Sequence, residues 1–140
     1  FNVPEGKSQV NWDQQISNMK KFSKILNDKR VHLYNMDFKT FFEKFSGTID
    51  DGDLTYIDPP YWETFTGYDG SEFTESDQRY LKDCTAALKG TVVCSNSNTP
   101  FTKELYKDFQ VQEVNARRSI NRNASKRGPA NVEIICVKSD

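Results

Sequence analysis

The chain has 140 residues, 19 of them Lys or Arg and 20 Asp or Glu, with a net charge of −1, and that length suits one compact domain. Apolar residues make up 36% and aromatics 13%, enough to bury a core, which excludes disorder over the full length. No run approaches the roughly 20 apolar residues of a membrane span, and no apolar N-terminal segment of signal-peptide type points to export.

Phe1-Asn2-Val3-Pro4-Glu5-Gly6-Lys7 is a turn-rich lead-in, punctuated by Pro and Gly. Asn11 reads as an N-cap, with Gln14 three residues later as in a capping box. Ile16, Met19, Phe22, Ile25 and Leu26 follow at helical spacing, which predicts a helix from about Trp12 to Asn27 with one face buried. Val31 to Met36 reads as a short strand, ended by Asp37; His32 within it is read as structural. Phe38, Phe41, Phe42 and Phe45 fall at i, i+3, i+4 and i+7, the core stripe of a short helix.

Leu54-Thr55-Tyr56-Ile57 is a short strand running straight into Asp58-Pro59-Pro60-Tyr61. After an aperiodic stretch over 62–73, Thr74 and Asp77 resemble a second capping box. Leu81, Cys84 and Leu88 mark that helix's face, and Gly90 its stop. Thr91 to Ser95 is a β-branched strand. Thr99 followed by Pro100 is an N-cap with Pro at the first helical position, opening a helix through about Lys107. Phe109 to Val114 and Val132 to Val137 read as two final strands. Alternation of this kind predicts an α/β fold with a parallel sheet. The last two strands lack a helix between them, so they can pair antiparallel at a sheet edge.

Three cysteines, Cys84, Cys94 and Cys136, sit at wide spacings with no CxxC pair. A structural zinc site needs four ligands at set spacings, so no metal is expected. Scattered thiols suit a reducing cytoplasm. Residues 114–132 hold Arg117, Arg118, Arg122, Lys126 and Arg127 and no acid. This is either a solvated loop or a local basic patch on an otherwise acidic chain.

Asp58-Pro59-Pro60-Tyr61 is the most informative feature. It lies beyond the carboxyl end of a strand, where ligand sites of open α/β sheets are found. Two prolines fix φ near −65° and donate no N–H, so the loop is stiff. It is either a rigid turn with a half-buried Tyr, or a mount for a carboxylate, a free carbonyl and an aromatic face.

Asp-Pro-Pro-Tyr after an apolar strand resembles the catalytic motif of amino-group methyltransferases. Phe1-Asn2-Val3-Pro4 with Gly6-Lys7 is similar to the FNVP-x-G-[KR] stretch of the DNA adenine methylase (Dam, D12-class) family. Phe73-Thr74 with Asp77-Gln78 and Leu81 resembles that family's helix start, and Val93 to Asn96 its next strand. Arg117-Arg118-Ser119-Ile120 with Asn123 is similar to its loop before the last strand. The similarity covers nearly all of the chain in the correct order.

The resemblance implies an N6-adenine DNA methyltransferase that uses S-adenosylmethionine and acts on double-stranded DNA, with no membrane partner. It implies that Asp58 and the Pro59 carbonyl accept the two N–H bonds of the target amine, that Pro60 stiffens the loop and that Tyr61 stacks on the base. Lys7, Arg117, Arg118, Ser119, Arg122 and Asn123 would contact DNA. Asp37, Phe38 and Asp58 would line the cofactor; for Asp37 and Phe38 a helix cap and a core ring stand as the equal alternative.

The expected fold is α/β: a partial Rossmann-like S-adenosylmethionine-dependent methyltransferase fold. Its sheet is expected to be mostly parallel with an antiparallel last strand. The family's Gly-rich cofactor turn has no counterpart, because no G-x-G occurs. The family strand order is 3-2-1-4-5-7-6, and this chain is expected to hold strands 3 to 7 as the C-terminal catalytic part of a longer enzyme. Residues 1–10 would end a target-recognition region and 11–140 form the α/β catalytic part. Alone, it is expected to bind cofactor poorly, to be inactive and to self-associate through exposed sheet edges. Two other readings stand beside this one. The first is methylation of another amino group, on cytosine N4, RNA or a protein glutamine. The second is a noncatalytic DNA-binding module.

Overall fold

The computed structural model of the chain describes residues 11–63, 73–117 and 130–139, with residues 117, 130 and 131 described by their backbone alone. The chain divides into two units, Phe1–Asp37 and Phe38–Asp140.

In the first unit, α1 spans Trp12–Leu26. Asn11 caps it, its side chain accepting the Gln14 N–H at 3.0 Å. The reciprocal half of the expected box is not formed, because the Gln14 side chain donates to Asn18 at 2.9 Å instead. None of the helix's residues is buried, contrary to the predicted buried face; Ile16, Met19, Phe22 and Ile25 are exposed. A stripe closes only against an opposing surface, and no second helix or strand is described in this unit. Residues 31–36 form no strand. Their β-branched and aromatic content supplies propensity, but a strand exists only through a ladder with a neighbour.

The second unit runs through α2 (Phe38–Phe45), a 3-10 turn (Ser46–Thr48), β1 (Leu54–Ile57), α3 (Glu75–Ala87), β2 (Thr91–Ser97), α4 (Pro100–Leu105), β3 (Gln110–Arg117) and β4 (Ala130–Lys138). The sheet order is β1-β2-β4-β3. β1 pairs parallel with β2, while β4 pairs antiparallel with both β2 and β3. Three strands therefore point one way and the last the other, as expected. The last two strands pair antiparallel at one edge of the sheet, as expected, with β4 between β2 and β3 and β3 outermost.

The local stops and starts follow the sequence signals. Thr74 and Asp77 cap α3 reciprocally, over 3.2 Å and 3.0 Å. Thr99 caps α4, with Pro100 in its first turn. Gly90 ends the α3 connection at φ +69°, where a Cβ would stand 2.5 Å from the Asp53 carbonyl oxygen.

Register places Ile57, Cys94 and Cys136 in one row on one face, with Val92 and Ile134 two residues away on the same face. Tyr106 and Phe109 pack on Cys94, Ile134 and Cys136; Phe42, Leu81 and Leu88 pack with Val92. The opposite face carries Tyr56, Val93, Ser95 and Ile135, and Tyr56 is exposed. Asp58 follows β1 at the carboxyl end of this sheet.

Candidate functional site

β1 ends at Ile57, and the next four residues form the loop. Asp58 is exposed, Pro59 buried, Pro60 exposed and Tyr61 half-buried. Among the described residues no cation pairs with Asp58, and the Pro59 carbonyl accepts no hydrogen bond. A carboxylate and a carbonyl thus stand next to each other, both with acceptor capacity in hand.

The neighbouring strand holds the loop in place. Ser95, Asn96 and Ser97 close β2, and each bonds to the loop. The Ser95 hydroxyl donates to Asp58 Oδ1 at 2.8 Å. Asn96 Oδ1 accepts the Trp62 N–H at 3.0 Å. The Ser97 hydroxyl donates to the Trp62 carbonyl at 2.8 Å. From α3, Gln78 Nε2 donates to the Pro60 carbonyl at 2.7 Å. Tyr61 is therefore gripped through the carbonyl before it and the N–H after it.

The Tyr61 phenol donates to Glu133 Oε2 on β4 at 3.2 Å. Burial holds this phenol protonated to higher pH than a free tyrosine, and the nearby charges of Glu133 and Asp58 push the same way, against a hydrogen bond with Ser95. Glu63, just beyond, has φ 58°, the left-handed region that turns the chain sharply out of the loop.

Trp62 stacks on Phe101 of α4 with centroids 4.5 Å apart. The Arg79 guanidinium carbon lies 5.2 Å from the Phe101 centroid. These contacts anchor the far side of the loop.

The other sequence-predicted residues are placed as follows. Asp37 ends the first unit and Phe38 opens the second. The Phe38 ring lies 5.3 Å from Phe73 and 6.0 Å from Tyr80, contacts of a core residue. Arg117 ends β3, described by its backbone. Lys7, Arg118, Ser119, Arg122 and Asn123 lie outside the described residues. Among the described residues no cluster of His, Cys, Asp or Glu could hold a metal, and no helix is long and apolar enough to cross a membrane.

Sequence reasoning missed Tyr56, Ser95, Gln78 and Glu133 as parts of this site, and took Asn96 only for the end of a family strand. Two signals were present. A polar triplet at the carboxyl end of a buried strand marks a site-facing edge. Gln78 shares a helical face with Leu81 and Thr85, and a polar side chain on a buried face needs a partner.

Comparison with known proteins bears on this arrangement. Residues 1–120 match the family described as D12 class N6 adenine-specific DNA methyltransferase. The chain is 36% identical over 138 residues to Type II methyltransferase M1.LlaDCHI of Lactococcus lactis subsp. cremoris, covering 91% of this chain and 46% of that protein. It is 33% identical over 148 residues to Type II methyltransferase M.MjaIII of Methanocaldococcus jannaschii, covering 98% of this chain and 48% of that protein. It is 37% identical over 100 residues to the DNA adenine methylase of Haemophilus influenzae, covering 65% of this chain and 34% of that protein. The chain thus spans about half the length, or less, of these curated relatives.

Proposed function

The chain belongs to the D12 class of N6 adenine-specific DNA methyltransferases, and from that we propose that it is the catalytic part of an enzyme that methylates adenine N6 in DNA. One observation carries the reading. An exposed carboxylate, Asp58, stands beside the open carbonyl of Pro59 at the end of β1, with Tyr61 next to them.

The N6 amine of adenine is a poor nucleophile, because its lone pair is delocalised into the ring. Asp58 and the Pro59 carbonyl would each accept one of its N–H bonds. Two acceptors set out of the ring plane draw the nitrogen toward sp³ and free the lone pair for the incoming methyl group. Once the N–CH₃ bond has formed, the nitrogen carries one proton too many, and Asp58 or water beside it takes that proton. Positioning and local polarity supply the rate. Tyr61 offers its ring to the base, which has to leave the duplex to reach this loop. The basic segment from Arg117 to Arg127, with Lys7, would hold the phosphates flanking it.

The family implies a methyl donor; we assign S-adenosylmethionine, whose sulfonium supplies an electrophilic methyl group when bound. The described residues do not by themselves make a site for it. The Phe38 ring is packed on Phe73 and Tyr80, and no G-x-G turn exists to cradle the donor. The chain alone is accordingly expected to bind the donor weakly or not at all; calorimetric titration with micromolar affinity would count against this. Its own part in the reaction is to hold the amine and take up its proton.

The sheet supports the same reading. Its order β1-β2-β4-β3, with only β4 reversed, is that of strands 4-5-7-6 in the family order 3-2-1-4-5-7-6. On that basis we read the fold as part of a Rossmann-like methyltransferase sheet. Among the described residues β1 pairs on one side only, and Leu54 and Tyr56 are exposed, which favours self-association of the isolated chain. Three free thiols suit a reducing cytoplasm.

The test is mass spectrometry of DNA modified by the natural protein that carries this chain, with and without Asp58→Ala. N6-methyladenine is expected from the wild type, with a rate loss of at least about 10²-fold in the variant. Methylation of cytosine, RNA or protein instead, or an unaffected Asp58→Ala, overturns the reading.

A further inference from the structure

We propose that Ser95 is a positioning residue that commits one oxygen of the Asp58 carboxylate and so leaves the other as the single acceptor for the target amine. The proposal rests on the reading of Asp58 as the group that receives the amine.

The placement begins with the ladder. β1 and β2 run parallel, and their last pair is Ile57 with Cys94. One residue further along, Asp58 and Ser95 stand abreast on the open face of the sheet. Ser95 is only 2% exposed, although the carboxylate it serves is at the surface. Its hydroxyl donates to Asp58 Oδ1 over 2.8 Å.

A second contact supports that direction of the hydroxyl. The Tyr56 phenol donates to Ser95 Oγ at 3.4 Å. Tyr56 lies two residues before Asp58, which follows directly on β1, so it projects from the same face. With its oxygen receiving from Tyr56, the Ser95 proton is aimed at Asp58, which as a carboxylate can only accept. Tyr56, Ser95 and Asp58 thus line up donor to acceptor, ending on Oδ1, with the Tyr61 phenol also beside the Ser95 hydroxyl.

The consequence is geometric. The terminal torsion of an aspartate is broad, so an unheld carboxylate samples many orientations. Two acceptors bend an amine out of its ring plane only if both stay in place. The Pro59 carbonyl is held by two proline rings. The Asp58 carboxylate has no such constraint of its own, and the Ser95 hydroxyl supplies it. A charge-assisted bond of this kind is among the stronger ones a side chain makes.

The experiment uses the natural protein, measured in steady state on DNA. Ser95→Ala is expected to lower kcat by about 10-fold to 100-fold, with KM for DNA and for the methyl donor within about 3-fold of wild type. Ser95→Thr keeps the hydroxyl and is expected to recover kcat to within about 3-fold. Tyr56→Phe is expected to fall between wild type and Ser95→Ala. Should Ser95→Ala fail to fold, Ser95→Cys, near in size and a weak donor, takes its place with the same expected loss.

A kcat within about 3-fold of wild type for Ser95→Ala overturns the proposal. So does a loss that tracks thermal stability and that threonine does not recover. Asp58→Ala in parallel separates the two levels. If it abolishes transfer while Ser95→Ala keeps kcat within about 3-fold of wild type, only the role of Ser95 fails. If neither matters, the reading of Asp58 fails with it.

Discussion

Asn96 Nδ2 donates to Gln78 Oε1 at 3.0 Å, and neither side chain has any exposed surface. The pair is a relay. Gln78 passes a donor to the Pro60 carbonyl, and Asn96 accepts both the Trp62 and the Ser97 N–H groups. Neutral amides suit this task, since each carries donor and acceptor at once and neither needs a buried charge. The relay ties α3 and β2 to the two peptide groups that flank Tyr61.

Replacing either amide by an apolar residue leaves its partners buried and unmatched. Gln78→Leu and Asn96→Leu are each expected to cost about 1–3 kcal/mol of stability. The double variant should fall short of their sum by about 0.5–3 kcal/mol, because the second substitution removes a group the first had already orphaned. Urea unfolding of all four proteins measures the coupling, and strict additivity would show that the relay does not act as a unit.

Tyr61 joins a ring and a hydroxyl with separable duties. Tyr61→Ala removes a stacking face worth about 1–3 kcal/mol per base, so methylation of DNA by the natural protein should fall by about 5-fold to 150-fold. Tyr61→Phe keeps the face and loses the hydroxyl with its bonds to Glu133 and Ser95, so its loss should stay below about 5-fold. Equal losses in the two variants would point to the hydroxyl rather than the ring.

The Asp77 carboxylate is held down to about 2, first by the Lys39 ammonium and then by the Thr74 hydroxyl and N–H. Its folded value lies below the unfolded one, so ionised Asp77 favours the folded state. That contribution is complete above about pH 4 and is lost as the pH falls toward 2. Melting curves of wild type and Asp77→Asn should therefore differ at neutral pH and converge near pH 2. A gap that stays constant over that range would assign the effect to packing.

Gly90 is tied to one backbone geometry. Its φ is +69°, and an added Cβ would lie 2.5 Å from the Asp53 carbonyl oxygen and 2.7 Å from that of Asp50. Both obstacles are backbone atoms that cannot swing aside. Gly90→Ala is expected to cost more than about 1 kcal/mol, read as a lowered Tm. An unchanged Tm would mean that the turn before β2 has another conformation open to it.

What could be read from the chain directly was whatever depends on near neighbours. Thr74 with Asp77, Thr99 with Pro100, and Gly90 after α3 each act within a few residues. Their chemistry is the same in any fold that contains a helix there. Asp58-Pro59-Pro60-Tyr61 is legible for the same reason, since two prolines stiffen the loop wherever it sits.

Folding was needed for everything that joins distant residues. Gln78 and Asn96 are 18 residues apart, Ser95 and Asp58 37, and Tyr61 and Glu133 72. No local pattern encodes such pairs. They arise once β1 lies parallel to β2 and β4 slots in beside β2. Residues 31–36 make the same point from the other side, because strand-like composition without a neighbouring strand yields no ladder. Composition and spacing name the groups available for chemistry, but partners for hydrogen bonds are set by where the backbone brings them.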